Sequence, residues 1–387
     1  MSSVLGTYAR KPISFKDGKG SYLFAENGEK YLDFVQGIAT NILGHCHEHL
    51  VQTIQTQSKK PWHISNAFVI PEQERLAKRL TDSTFADFVC FQNSGTEATE
   101  ASIKIARKYF HKIGKSEKNR IITFKGAFHG RTLAALFAAN NSKHIEGFGP
   151  KVDGFDQVPF ADHEAVKKAI NKNTAAIMVE TIMGEGGIKI VPDFCLKGLR
   201  EMCDKHDILL ILDEVQSAYR TGNFFAFEKS GISPDIVPIA KGIGGGFPLG
   251  ACLVTKKVSV GMTPGTHGST FGGNPLAMAV GNAVLDILFK KDFLKKVRQK
   301  GEYLDNGLNK IKKEYPNIIS EVRGIGLMKG IKVLVDNNEF IKKLIDHKML
   351  TVKAEENVIR LFPPLTIENE EIDEAIDKIK IACKEMS

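Results

Sequence analysis

Apolar and polar positions follow one pattern along most of this chain and another after about residue 275. In the first part, short apolar runs recur: "DFVCFQ" (87–92), "RIITFK", "AAIMVE", "ILLILD" and "DIVPIA". Runs of this length, rich in Ile, Val and Leu, predict buried strands. Between them lie stretches of helical spacing. In "TEATEASIKIARKYFHK", Ala101, Ile105, Ala106, Tyr109 and Phe110 fall on neighbouring faces of a helix. "QERLAKRLTD" and "PDFCLKGLREMCDKHD" read the same way. Alternation of strand and helix predicts a mostly parallel sheet wrapped by helices, an α/β fold. Near the start, "GSYLFAENGEKYLDF" (20–34) predicts a hairpin with Asn-Gly at its turn. After residue 275 a long charged helix, a strand pair around "EVRGIGLMKGIKVLV", a further helix, "NVIRLF" and a last helix predict a smaller α+β domain.

Composition narrows the classes. The chain has 387 residues, 42% hydrophobic and 25% charged, which suits a large soluble protein. No apolar run approaches the roughly 18 residues of a membrane span. "MSSVLGTYARKPISF" lacks the apolar core of a secretory signal. The cysteines at 46, 90, 195, 203, 252 and 383 form no Cys-x-x-Cys pair and read as reduced thiols of a cytoplasmic protein. The net charge of +8 comes from lysines spread along amphipathic helices with acids interspersed. That is a solvated face rather than a nucleic-acid footprint, and it also steers anionic small molecules.

Most motif candidates fail on spacing. No G-x-G-x-x-G occurs, and "GKS" at 114–116 has Tyr109 where a P-loop needs glycine. "HCHEH" (45–49) places its side chains too close in sequence to converge on one ion, so it reads as a turn opening a helix, with no metal expected.

Three stretches survive. "NSGTEATEA" (93–101) follows a strand and opens a helix. Ser94 and Glu97 have capping-box spacing, while Gly95 and Thr96 would also let a phosphate approach the helix end; both readings stand. "ILLILDEVQ" (208–216) ends a buried strand in Asp213, where ligands bind in open α/β sheets. "IVPIAKGIGGGFPLG" (236–250) brings an apolar run into Lys241 and a glycine-rich turn. A buried ammonium there needs compensation. An acid and a lysine at adjacent strand ends, with a phosphate cup nearby, suit pyridoxal 5'-phosphate.

With these stretches in view, the chain resembles the class III (ω-) aminotransferases of PLP fold type I. The likeness is carried by "YLDFVQGIATNILGHCHEHL", "NSGTEATEASIKIARKY", "FHGRT", "GEGGI", "LDEVQ", "RTGNFFAFEKSGISPDI", "AKGIGGGFPLGA", "HGSTFGGNPLA" and "IRLFPPL", spread over the whole chain. The resemblance implies an N-terminal segment, 1–45, belonging to the small domain, a large cofactor-binding domain, 46–275, and a C-terminal small domain, 276–387. It implies that Lys241 holds pyridoxal 5'-phosphate covalently and that Asp213 keeps the ring nitrogen protonated. Gln216 lies near the ring hydroxyl, Gly95 and Thr96 at the phosphate, and Phe128 on the ring. Thr270 reaches the phosphate, and Ser269 the substrate, from the partner subunit of a homodimer. By the same resemblance, Arg131 is expected to grip a substrate carboxylate, Arg360 to take the α-carboxylate of the dicarboxylate partner, Glu185 to mask Arg360, and Tyr8 to close the pocket.

The implied reaction moves the δ-amino group of N2-acetyl-L-ornithine to 2-oxoglutarate. Ornithine, succinylornithine and 4-aminobutyrate are alternative donors. A one-substrate aminomutase resembling glutamate-1-semialdehyde aminomutase and a catalytically silent binding protein are the rivals from other classes. Two stretches depart from the family pattern. "VETIMGEGG" (179–187) has Thr181 and Met183 in place of Pro and Gln, and "QSAYRTG" (216–222) replaces a small, glycine-containing segment. Both bear on substrate preference.

Overall fold

The computed structural model describes residues 3–387. A seven-stranded sheet runs in the order Phe88–Gln92, Gly250–Val254, Ile236–Ile239, Leu209–Asp213, Thr174–Glu180, Arg120–Phe124, Phe155–Val158. Gly250–Val254 pairs antiparallel with both neighbours, and the pairings from Ile236–Ile239 to Phe155–Val158 are parallel. Leu209–Asp213 and Thr174–Glu180 are buried at every position, which is why they read as unbroken apolar runs. Their side chains still alternate. Leu209 and Ile211 join the core on one face of the sheet, whereas Leu210 and Leu212 join the core on the other.

Helices Gly95–Lys112 and Asp193–Lys205 serve these two cores, with Ile105 and Phe110 in one and Leu196 and Leu199 in the other. Pro275–Leu288 starts with Pro at its first turn, and the Asn274 side chain caps it by accepting from the Ala277 amide. It is almost wholly buried and packs on Glu48–Gln57 and Pro71–Asp82.

A two-stranded pair, Ile182–Met183 with Lys189–Ile190, and two four-stranded sheets complete the fold among the described residues. Ile319–Ile325, Met328–Val333, Val358–Leu361 and Val352–Ala354 form one, all antiparallel. The predicted hairpin, Tyr22–Ala25 with Lys30–Asp33, belongs to the other together with Phe15–Lys19. There Lys30–Asp33 pairs in parallel with Met349–Leu350, so the N-terminal strands lie against the C-terminal part. Tyr22 Oη donates to Glu374 at 2.7 Å and Ser21 Oγ to Glu371 at 2.9 Å, which fixes the contact. Among the described residues no helix is long and apolar enough to cross a membrane.

Candidate active site

Parallel strands that end at one edge deliver their following loops to one place. In register, Asp213 lies opposite Glu180, and the next strand over, Ile236–Ile239, leads into Lys241. The loop after Arg120–Phe124 brings Phe128 to Arg131, and the start of helix Gly95–Lys112 faces them. The result is a cavity of about 210 Å³ whose walls include Gly95, Thr96, Phe128, Asp213, Gln216 and Lys241.

Lys241 opens a short 3₁₀ turn with φ of 49°, in the left-handed region that a non-glycine residue adopts at a cost of order 1–3 kcal/mol. Burial lowers the pKa of its ammonium to about 8; Arg360 pushes the same way, and Glu180, Glu185 and Asp213 oppose it. Across the cavity, Asp213 Oδ2 lies 2.8 Å from His129 Nδ1, with both side chains buried, and Asp213 Oδ1 accepts from the Val215 amide at 3.0 Å. Burial alone would lower the His129 pKa, but the hydrogen bond and charge of Asp213, with Glu180 behind, raise it overall. Asp213 thereby favours the protonated imidazole, against its burial.

Ser94 caps the helix by accepting from the Glu97 amide at 3.3 Å, and Glu97 reaches back to the Asn93 amide at 2.8 Å. The capping reading and the anion reading therefore coexist: the cap faces one way, and Gly95 and Thr96 line the cavity. At Gly95 a Cβ would come within 2.6 Å of Val215, so only glycine lets the helix approach this closely. Thr96 Oγ1 accepts from the Arg131 and Thr132 amides, both at 3.2 Å, tying the loop to the helix end. The buried Gln216 Oε1 has no hydrogen-bond partner among the described residues, although it borders the cavity. A carboxylate, an unpartnered amide oxygen, a lysine and a helix N-terminus around one small cavity fit a phosphorylated aromatic ring carrying a basic nitrogen and a hydroxyl.

At the cavity margin, Arg360 Nη2 donates to Glu185 Oε1 at 3.0 Å and to the Lys353 carbonyl at 2.8 Å. Arg360 is almost completely buried, and its Nε and Nη1 have no hydrogen-bond partner among the described residues. Arg131 is exposed, with its guanidinium 5.3 Å from the Phe128 ring. Ser269, Thr270 and Tyr8 are not brought to this cavity by the single chain. Ser269 Oγ is bound to Asn93 Nδ2 and the Gly272 amide, Thr270 is exposed, and Tyr8 is 78% exposed. The histidines of "HCHEH" diverge, His45 to Asp33 at 2.7 Å and His49 to Asp286 at 3.0 Å.

His129, Glu180 and Glu214 are absent from the sequence-predicted set. Glu180 was findable, since it ends "AAIMVE" as Asp213 ends "ILLILD". Glu214 is met by one residue from each of the two departing stretches. Thr181 Oγ1 donates to Glu214 Oε1 at 2.8 Å and Ser217 Oγ to Glu214 Oε2 at 2.6 Å, all three being buried. Two hydroxyls thus meet on the one carboxylate that follows Asp213 in the chain.

Comparison with known proteins follows the same lines. A family model described as aminotransferase class-III matches residues 7–383. A relative from Agrobacterium fabrum named acetylornithine aminotransferase is 54% identical over 385 residues, which are 99% of this chain and 96% of the relative. The N-acetylornithine aminotransferase structure from Stenotrophomonas maltophilia superposes with a TM-score of 0.85 at 34% identity, over 98% of this chain and 97% of that one. An ornithine aminotransferase structure from Toxoplasma gondii, described as having partial occupancy of PLP at its active site, gives 0.94 at 30% identity, over 98% and 92%.

Burial raises the Glu214 carboxyl from 4.5 to about 7, against the hydrogen bonds from Ser217, Thr181 and the backbone. The folded protein therefore binds a proton that the unfolded chain releases between these values. Stability from this group is full below pH 4.5 and is lost as pH rises to about 7. Glu214→Gln should flatten urea-unfolding stability against pH in that window by on the order of 3 kcal/mol. A slope equal to that of wild type would contradict this.

Proposed function

The chain belongs to the class III aminotransferases, and we propose that it transfers the δ-amino group of N2-acetyl-L-ornithine to 2-oxoglutarate. The products are N-acetyl-L-glutamate 5-semialdehyde and L-glutamate, a step of arginine biosynthesis. The donor assignment is supported by the full-length likeness to a relative named acetylornithine aminotransferase. The enzyme uses pyridoxal 5'-phosphate, which when bound supplies a carbonyl carbon for the amine and a ring that accepts an electron pair.

In this reading Lys241 holds the cofactor, and the amide groups at Gly95 and Thr96 meet its phosphate. Phe128 covers the ring, and Gln216 Oε1 pairs with the ring hydroxyl. Asp213, braced by His129, presents a carboxylate to the ring nitrogen and favours its protonated form. Lys241 Nζ, with its pKa near 8, is partly neutral at neutral pH. It takes the proton released at the donor's Cδ and later returns one for the acceptor.

The observation that carries the two-substrate reading is the Arg360–Glu185 pair. A buried arginine that loses its partner is costly, so a site for a donor with one carboxylate keeps Arg360 covered. When 2-oxoglutarate enters, Glu185 swings aside and Arg360 pairs with its α-carboxylate. Arg131 pairs with the α-carboxylate of the donor, whose acylated α-amine leaves the δ-amine free to react.

The catalytic unit in this reading is a homodimer in the cytoplasm. A second copy supplies Thr270 toward the phosphate and Ser269 toward the substrate. The exposed Trp62, Phe68 and Phe271 supply apolar surface for such an interface.

A donor screen with 2-oxoglutarate as acceptor tests the assignment. Acetylornithine should exceed free ornithine and 4-aminobutyrate by at least about tenfold in kcat/KM, or about 1.4 kcal/mol. If 4-aminobutyrate were the best donor, the donor assignment would be wrong while transamination stood. Glu185→Gln should raise the single-turnover rate with glutamate relative to acetylornithine by roughly tenfold, since Arg360 is no longer covered by a charged partner. An unchanged ratio would rule out this role for Glu185.

A further inference from the structure

One carboxylate in the cavity wall has no role in the mechanism above, yet it touches two of the loops that mechanism uses. Glu180 is the last residue of Thr174–Glu180 and is 5% exposed. Its Oε1 accepts from the Phe128 amide at 2.8 Å, and its Oε2 accepts from the Gly184 amide at 3.3 Å. Phe128 lies in the loop after Arg120–Phe124, whereas Gly184 opens the turn that carries Glu185. Neither amide lies in a helix or strand, so each depends on a side chain or solvent for its acceptor.

We propose that Glu180 is a positioning residue that ties the Phe128 wall of the cofactor cavity to the turn bearing Glu185, so that the two loops hold their places together. The inference rests on the reading of the cavity as a cofactor site and of Glu185 as the cover of Arg360. Its physical basis is the bidentate geometry. A carboxylate is acceptor on both oxygens, so it can take both amides at once, and no neutral side chain of this length can. A glutamine would keep one acceptor and turn an NH₂ toward the other amide.

Burial and the neighbouring Asp213 raise the Glu180 carboxyl to about 7, while His129 and the Phe128 and Gly184 amides lower it. The two amides favour the ionised form against burial, and each bond is stronger when the carboxyl is charged. The turn is tight where it matters. A side chain at Gly184 would run into the Gln216 amide, so the turn packs closely on Gln216. Glu185 in turn is fixed on its far side, where its carbonyl accepts from the Glu355 amide at 2.9 Å. Movement of Glu185 away from Arg360 is thus limited to its side chain while Glu180 holds Gly184. Loss of that hold removes one of the bonds that place this backbone and leaves the Glu355 contact to hold it.

The test is hydrogen–deuterium exchange on holoenzyme and on cofactor-stripped protein, comparing wild type with Glu180→Gln at the Phe128 and Gly184 amides. We expect exchange at both amides to rise at least about tenfold, with or without cofactor. The ratio of glutamate to acetylornithine single-turnover rates should shift at least about threefold, because a loosened turn no longer sets Glu185 on Arg360. A purely structural role would lower yield or both rates together and leave that ratio unchanged. Faster exchange at one amide only, at neither, or an unchanged ratio would overturn the proposal. If Glu180→Gln does not fold, Glu180→Asp serves. It keeps the charge but is too short to span both amides, so wild-type exchange at both would overturn the proposal equally. Should wild type transaminate no ω-amine at all, the functional reading fails, and the exchange results still decide whether Glu180 joins the two loops.

Discussion

Asp213 ends a strand that is buried at every position, and its carboxylate lies 2.8 Å from a buried imidazole. An ionised carboxylate in such a place survives only with partners. His129 and the Val215 amide provide them, and much of the site follows from that requirement. To deliver His129, the loop after Arg120–Phe124 must cross the end of Thr174–Glu180, which lies between the two strands. That path lays Phe128 over Glu180 and brings Arg131 to Thr96 at the helix end. Lys241 then closes the cavity from the neighbouring strand, in a left-handed backbone conformation.

The second half of the site comes from the C-terminal part of the chain. Arg360 sits in Val358–Leu361, and its contact with Glu185 crosses to the turn after Thr174–Glu180. The same seam is held by Arg323, which bonds the Gly187 carbonyl at 3.0 Å and Glu356 at 2.8 Å. Lys189 also pairs with Glu356, at 2.5 Å. In the proposed reading, substrate discrimination by Arg360 rests on a junction between two sheets, whereas cofactor chemistry rests on one sheet edge. The two functions are joined where Gly184 and Glu185 follow each other in the chain.

The central strands, the long helices and the hairpin are legible in the sequence because burial on both faces or on one face writes a period into the residues. Asp213 and Lys241 are legible for a related reason: a charge that ends an apolar run needs explaining. Several strands are not. Phe15–Lys19 and Phe155–Val158 are edge strands interrupted by polar positions, Gly250–Val254 is concealed behind the glycine-rich turn that precedes it, and Ile182–Met183, Lys189–Ile190, Met349–Leu350 and Val352–Ala354 are too short to show a period. His129 is hidden because one imidazole in a loop has no pattern, and its role depends on a partner 84 residues away. The convergence of Thr181 and Ser217 on Glu214 is likewise invisible along the chain, since it needs two turns to meet in space.

That an ammonium, a braced carboxylate and a helix end form one cofactor site is tested most directly by chemical reduction. Purified protein treated with borohydride and digested should carry the mass of reduced, phosphorylated pyridoxyl on the peptide containing Lys241, with the other lysines unmodified. Label on a different lysine, with Lys241 recovered unchanged, would contradict the account at its centre.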